Sequence, residues 1–141
     1  MGRMSRQKGK RGEREAANEL AALLGVNARR GVQYQGGPDS PDVVLEGVPI
    51  HVECKRTERL DLYAAITQAR DECGDKVPIV WHRRNNHDSV VIIETSRLLD
   101  VCQAIMAVAV LQNAALQNAA LQNAALQNAT HAKVAGPSAN C

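Results

Sequence analysis

Between Pro41 and Lys55 the chain reads PDVVLEGVPIHVECK, with an aspartate at the mouth of one apolar run and a Glu-x-Lys triplet inside the next. Side chains alternate along an extended strand, so His51, Glu53 and Lys55 should share one face while Ile50, Val52 and Cys54 share the other. The apolar face would pack on a helix, and the polar face would present a carboxylate beside an ammonium. Glu46-Gly47 suits the turn of a hairpin, and hairpin pairing would bring Asp42 next to Glu53. Two carboxylates that close repel each other unless a proton or a cation intervenes. A hard divalent ion resolves the conflict: Mg²⁺ typically takes one or two protein carboxylates and leaves room for water and phosphate oxygens, and Mn²⁺ is expected as a substitute. Lys55 would offset the same charge and could orient or help deprotonate an attacking water. Each piece alone also fits a charged turn followed by a solvated strand face.

The elements around this stretch should support it. GEREAANELAALL, residues 12–24, has good helix formers, with Gly25 as a stop. Ala17, Leu20, Ala21 and Leu24 recur at helical spacing, and Glu13, four residues before Ala17, extends that inward stripe. Glu15 falls with Asn18, Glu19 and Ala22 on the polar side. VNARRGVQYQ reads as a first strand, followed by a turn cluster from Gly36 to Pro41. DVVLEG and VPIHVECKR read as a hairpin. DLYAAITQARDECG returns to helical spacing, with Leu62, Ile66, Ala69 and Cys73 on one face and Gln68 beside its edge. VPIVWHRR and SVVIIE are two more strands, the second a continuous β-branched run of the kind found at a sheet centre. Trp81 is expected in the core. SRLLDVCQAIMAVAV closes as a helix with Ser96 as its cap. The expected order is α, β, β, β, α, β, β, α.

The chain has 141 residues, enough for one domain with a modest core. Its net charge of +2 hides a local imbalance: Arg3, Arg6, Lys8, Lys10, Arg11 and Arg14 face only Glu13 and Glu15 in the first fifteen residues. Such a basic arm suits a polyanion, since each neutralised phosphate releases counterions. Phenylalanine is absent and aromatics make up 2%, which argues against recognition by base stacking and leaves backbone contacts. His82, Arg83, Arg84 and His87, together with Arg29 and Arg30, form a second candidate phosphate-contacting patch. Four cysteines without a CxxC pair support neither a zinc ribbon nor a disulfide framework, and no apolar leader is evident at the N-terminus. A reducing cytoplasm is the expected setting. VCQAIMAVAVL is shorter than the roughly 20 residues a membrane span needs, so no membrane association is expected.

From Leu111 the pentapeptide LQNAA repeats perfectly. Leucines five apart rotate about 140° per step around a helix and build no single apolar face. The expected organisation is a basic arm over 1–11, a domain over 12–110 and a low-complexity tail over 111–141, helical or disordered, without a site.

The stretch PDVVLEGVPIHVECK resembles the signature of the PD-(D/E)xK nuclease superfamily. KGKRGEREAANELAALLG, ARRGVQYQGGPDSPDVV and IHVECK together resemble the archaeal-type Holliday junction resolvases and related phage-encoded endonucleases, over roughly residues 8–94. The resemblance implies an α/β fold, a restriction-endonuclease-like αβββαβ core with a mixed central sheet flanked by helices. It makes Asp42 and Glu53 metal ligands, Lys55 the catalytic lysine, and Glu13 the helix carboxylate that joins the acidic pair. Asp42 is preferred to Asp39 because it leads directly into the apolar run. Gln68 falls where related nucleases carry a polar residue reaching the active site, and His51 is a candidate supporting residue on the active face. Lys8, Lys10, Arg11, Arg29, Arg30, Arg83 and Arg84 are candidates for contacting nucleic acid. The implied function is a Mg²⁺-dependent DNA endonuclease acting on branched DNA such as Holliday junctions, in recombination and repair, in a bacterial or phage-infected cell. A homodimer is expected because cutting two strands symmetrically needs two sites. Alternatives are the same chemistry on flapped, nicked or duplex DNA or on RNA, and a non-catalytic nucleic-acid-binding module.

Overall fold

The structure is a computed structural model that describes residues 3–31 and 41–136. In chain order it comprises α1 (Arg3–Leu24), β1 (Ala28–Arg30), β2 (Val43–Leu45), β3 (Ile50–Arg56), α2 (Leu62–Glu72), β4 (Val77–Arg83), β5 (Val90–Ile92), a 3₁₀ turn (Thr95–Arg97) and α3 (Leu98–Val134). The strands form one mixed sheet in the order β1-β2-β3-β4-β5. The β1-β2, β2-β3 and β4-β5 pairs are antiparallel, while β3 and β4, joined through α2, run parallel. This is the expected restriction-endonuclease-like α/β architecture.

Strand alternation assigns the two helices to opposite faces. Arg56 meets Gly12 and Glu15 of α1, whereas its neighbour Lys55 bonds Gln68 of α2. On the α1 side, Ala16, Ala17 and Leu20 are buried, as are Val43, Val52, Ile79 and Trp81 of the sheet. On the α2 side a smaller cluster joins Ala65, Ala69 and Val80 with Leu60, Ile66 and Ile92. The polar face of β3 is therefore roofed by a helix rather than open to water.

Helix α1 begins well before Gly12, so the basic segment is helical and Gly12 lies inside the helix. A glycine there costs about 1 kcal/mol of helix stability relative to alanine. Its reason is contact: a Cβ on Gly12 would lie 2.7 Å from the Cβ of Arg56. The bare backbone lets α1 press against the end of β3.

Other local expectations change on folding. Glu15 and Glu19, expected on a solvated side, turn to the sheet. Glu15 pairs with Arg56 at 2.8 Å and with Arg11 at 2.9 Å, and Glu19 accepts from the Trp81 indole Nε1 at 2.9 Å and from the Ser89 hydroxyl. Trp81 is 1% exposed, as a core residue should be. The buried stripe of α2 is Ala65 and Ala69, not Leu62 and Cys73; Leu62 is 37% exposed. Strand β5 is an edge, with Val90 and Val91 half exposed, because β-branched runs serve edges as well as centres. Glu94, not Ser96, occupies the cap position before the 3₁₀ turn. The expected first strand is confined to Ala28–Arg30 among the described residues; its continuation over 32–35, and the turn residues 36–40 with Asp39, lie outside them.

The chain divides into two units, residues 1–106 and 107–141. The first contains the sheet. In the second, α3 continues through the pentad repeat, and Leu111, Leu116, Leu121 and Leu126 are all well exposed. Because the repeat prolongs the apolar segment, the helical run Thr95–Val134 is long and apolar enough to cross a membrane by length and composition alone. Each pentad nevertheless carries a glutamine and an asparagine.

Replacing Gly12 by alanine should lower the melting temperature despite the better helix propensity, because the new methyl meets backbone-anchored carbon. Thermal unfolding followed by circular dichroism measures this, and an unchanged or raised melting temperature would show that α1 does not need the close approach.

Candidate active site

The site forms where β2 and β3 pair. Val43 lies opposite Val52, so one step along Asp42 falls opposite Glu53. Two bonds hold the aspartate in place. Its side-chain Oδ2 accepts the Cys54 amide at 2.9 Å, and its backbone carbonyl accepts the Gly31 amide at 2.8 Å. Gly31 is sterically required, since a Cβ there would lie 1.8 Å from the Pro41 carbonyl oxygen.

Glu53 is 3% exposed near the middle of β3. Lys55 Nζ reaches its Oε1 at 2.6 Å and donates to Gln68 Oε1 at 2.7 Å. Gln68 Nε2 in turn donates to Glu72 Oε1 at 3.1 Å. Helix α2 presents both polar residues inward because Ala65, Gln68, Ala69 and Glu72 fall on one helical face, and the two alanines let that face sit close to the sheet. The helix start is fixed by Asp61, whose Oδ1 accepts the Ala64 amide at 3.1 Å.

The electrostatics are those of a crowded acidic pocket. Burial pushes the Glu53 carboxyl up to about 7, the neighbouring Asp42 pushes in the same direction, and the Lys55 hydrogen bond opposes them. Burial also raises Asp42; the Cys54 amide works against this, and Glu13 adds to it. Burial lowers His51, which is 1% exposed. It raises the Cys54 thiol far above its ordinary value, with Asp42 and Glu13 contributing. Burial is the main cause of each shift, and a cation in the pocket would also offset the repulsion that Asp42, Glu13 and Glu53 add.

The structure thus gathers Asp42, Glu53, Lys55, Gln68 and His51. Glu13 comes within electrostatic range of Asp42 from the α1 side, where it forms an ion pair with Arg30. Glu72 was missed by sequence reasoning. His51, Glu53 and Glu72 each offer a ligand atom within 4.8 Å of one another. The signal was the four-residue step from Gln68, hidden because the expected stripe, right at Ile66 and Ala69, ran through Leu62 and Cys73 instead of Ala65.

The expected nucleic-acid contacts separate into two groups. Arg30 is engaged by Glu13, Arg11 by Glu15, and Arg83 donates from Nε to the His87 carbonyl at 3.1 Å while standing 3.9 Å from Glu15. Lys10, Arg29 and Arg84 are exposed, as is Lys8, which stands 3.9 Å from Glu58. A cleft of about 360 Å³ is lined by His82, Arg84 and His87, with Glu58 and Asp88, and His82 is the register partner of Lys55 on β4.

With this geometry in view, the relationship of the chain to known proteins is specific. The family model described as phage putative PDDEXK endonuclease matches residues 4–128, which extends past the sheet into the pentad repeat. No curated protein and no solved structure matches. The paired Asp42 and Glu53 with Lys55 thus stand in a nuclease setting, and the chain belongs to the phage PDDEXK endonuclease family.

Proposed function

We propose that the chain is a Mg²⁺-dependent endonuclease that hydrolyses phosphodiester bonds in DNA, with branched DNA such as a four-way junction as its preferred substrate. The observation that carries the reading is the placement of Asp42 directly opposite Glu53, with the Lys55 ammonium 2.6 Å from the latter.

Asp42 and Glu53 are the residues that would hold the ion, with Glu13 close by; an acidic, largely buried oxygen donor set fits a hard divalent cation. Bound there, such an ion would polarise the scissile phosphate and lower the pKa of an attacking water. Lys55 has three donors, two of them directed to Glu53 and Gln68. The third is left for the water nucleophile or a phosphate oxygen. Gln68 holds the ammonium in position, and α2 keeps bulk water from the Glu53 side. Exposed Lys8, Lys10, Arg29 and Arg84 would contact the DNA backbone. A homodimer would supply the second site that symmetric cutting requires. Recombination or repair in the cytoplasm of a phage-infected bacterium is the context this activity suits.

Asp42→Asn and Lys55→Ala should each lower cleavage by about a hundredfold or more in the presence of Mg²⁺. Binding to the same DNA should stay near wild type. A nicking assay on a four-way junction, a flap and a linear duplex at one salt concentration tests both the chemistry and the preference. Full activity in either variant would refute the residue assignment, and equal rates on all three substrates would refute the preference for branches.

The pKa of Glu53 gives a second expectation. Its folded value of about 7 lies above the ordinary 4.5, so the stability it contributes is fully present below the ordinary value and is lost as pH rises through 7. The metal-free protein should therefore melt progressively lower from about pH 4.5 to above pH 7. Mg²⁺, which competes with that proton, should raise the melting temperature more at high pH than at low pH. A Mg²⁺-induced shift that is the same at both ends, measured by differential scanning fluorimetry, would show that no buried carboxylate yields its proton to the ion.

A further inference from the structure

The β3 face toward α2 contains more ligand chemistry than the Asp42–Glu53 pair uses. A ring nitrogen of His51 and carboxylate oxygens of Glu53 and Glu72 lie within 4.8 Å of one another. Donors around one ion, each at about 2.0–2.2 Å, are separated by up to roughly 4.4 Å, so this triangle closes with small side-chain adjustments.

A second observation is independent of the acidic cluster. His51 is 1% exposed, and its Nε2 is a buried polar atom with no hydrogen-bond partner among the described residues. Such atoms are rare because an unmet donor or acceptor in the interior is costly. An imidazole with an unmet ring nitrogen, set within 4.8 Å of two carboxylates, has a natural complement in a cation that takes a nitrogen lone pair. Glu72 is already oriented by Gln68, which donates to its Oε1 at 3.1 Å.

We infer that His51, Glu53 and Glu72 form a second divalent-cation site, distinct in donor chemistry from the Asp42–Glu53 site and sharing Glu53 with it. An imidazole donor makes it selective in a way an all-oxygen site is not. Mg²⁺ favours oxygen and water, whereas Mn²⁺, Co²⁺ and Zn²⁺ accept imidazole nitrogen readily. The two positions therefore differ in preference: a hard ion near Asp42, and a first-row transition ion between β3 and α2. Glu53 would lie between them, and through Gln68 the second position is linked to the Lys55 ammonium.

The test uses Mn²⁺ as probe on the full-length, metal-free protein. Electron paramagnetic resonance should count two bound ions per chain, and the electron spin echo should show nitrogen coupling from one directly bonded imidazole. His51→Gln should remove the coupling and one ion. Glu72→Gln should weaken the nitrogen-coupled ion at least tenfold, and this half-buried position serves as the deciding variant should the buried His51 variant not fold. Asp42→Asn should keep the nitrogen-coupled ion while losing cleavage, which separates this inference from the nuclease assignment. The inference is overturned if wild-type protein shows no nitrogen coupling, if the coupling survives in His51→Gln and so arises from His82, His87 or His131, or if Glu72→Gln binds the coupled ion with unchanged affinity.

Discussion

The hydrogen bond from the Cys54 amide to the Asp42 carboxylate is the interaction on which the site depends. It ties the mouth of β2 to the middle of β3 and sets a carboxylate opposite Glu53, where charge repulsion alone would drive the two apart. A backbone amide is a suitable anchor because it is held by the strand and brings no counter-charge that would compete with a cation. The close contacts nearby serve this placement. Gly31 lets the chain pass the Pro41 carbonyl, and Gly12 lets α1 reach the end of β3. On the opposite face, Ala65 and Ala69 allow α2 to bring Gln68 and Glu72 down to the polar side of the strand.

Two kinds of charge compensation coexist around the sheet. On the α1 face, Glu15 is surrounded by Arg11, Arg56 and Arg83, so its charge is neutralised within the chain. On the α2 face, Asp42 and Glu53 both lie in range of Lys55 and still have raised proton affinities, with Glu72 adding to both shifts. Buried ion pairs often contribute little to stability because desolvation offsets the attraction. The α1 face thus reads as structural and the α2 face as charge held in reserve for a ligand. Such a split explains why basic residues expected to contact nucleic acid are partly spent inside the protein.

Much of this pocket was legible in the chain because it depends on local periodicity. Alternation put His51, Glu53 and Lys55 on one side, the Glu46-Gly47 turn placed Asp42 beside them, and Gln68 fell near the site by its position on a helix. What stayed hidden depends on contacts between distant segments. Gly12 looks like a helix start until Arg56 is seen against it. Glu15 and Glu19 look solvated until the arginines and Trp81 arrive from strands β3 and β4. Glu72 escaped notice because Ile66 and Ala69 fit more than one stripe on α2, and only packing against Val80 selects the one that runs through Ala65. The exposed β5 shows the same limit, since strand-forming residues do not reveal which neighbours a strand will have.

The pentad repeat has a geometric consequence of its own. From Leu111 to Gly136, Gln112 is the one residue that is even partly covered. Each LQNAA unit adds about 7.5 Å of rise and turns the helix by the same angle. Gain or loss of a unit, the usual accident of a tandemly repeated coding sequence, would therefore change the reach of this segment in even steps while leaving every buried residue of the catalytic unit as it is. The number of units thus sets the length of the helix separately from the buried residues of the sheet-containing unit.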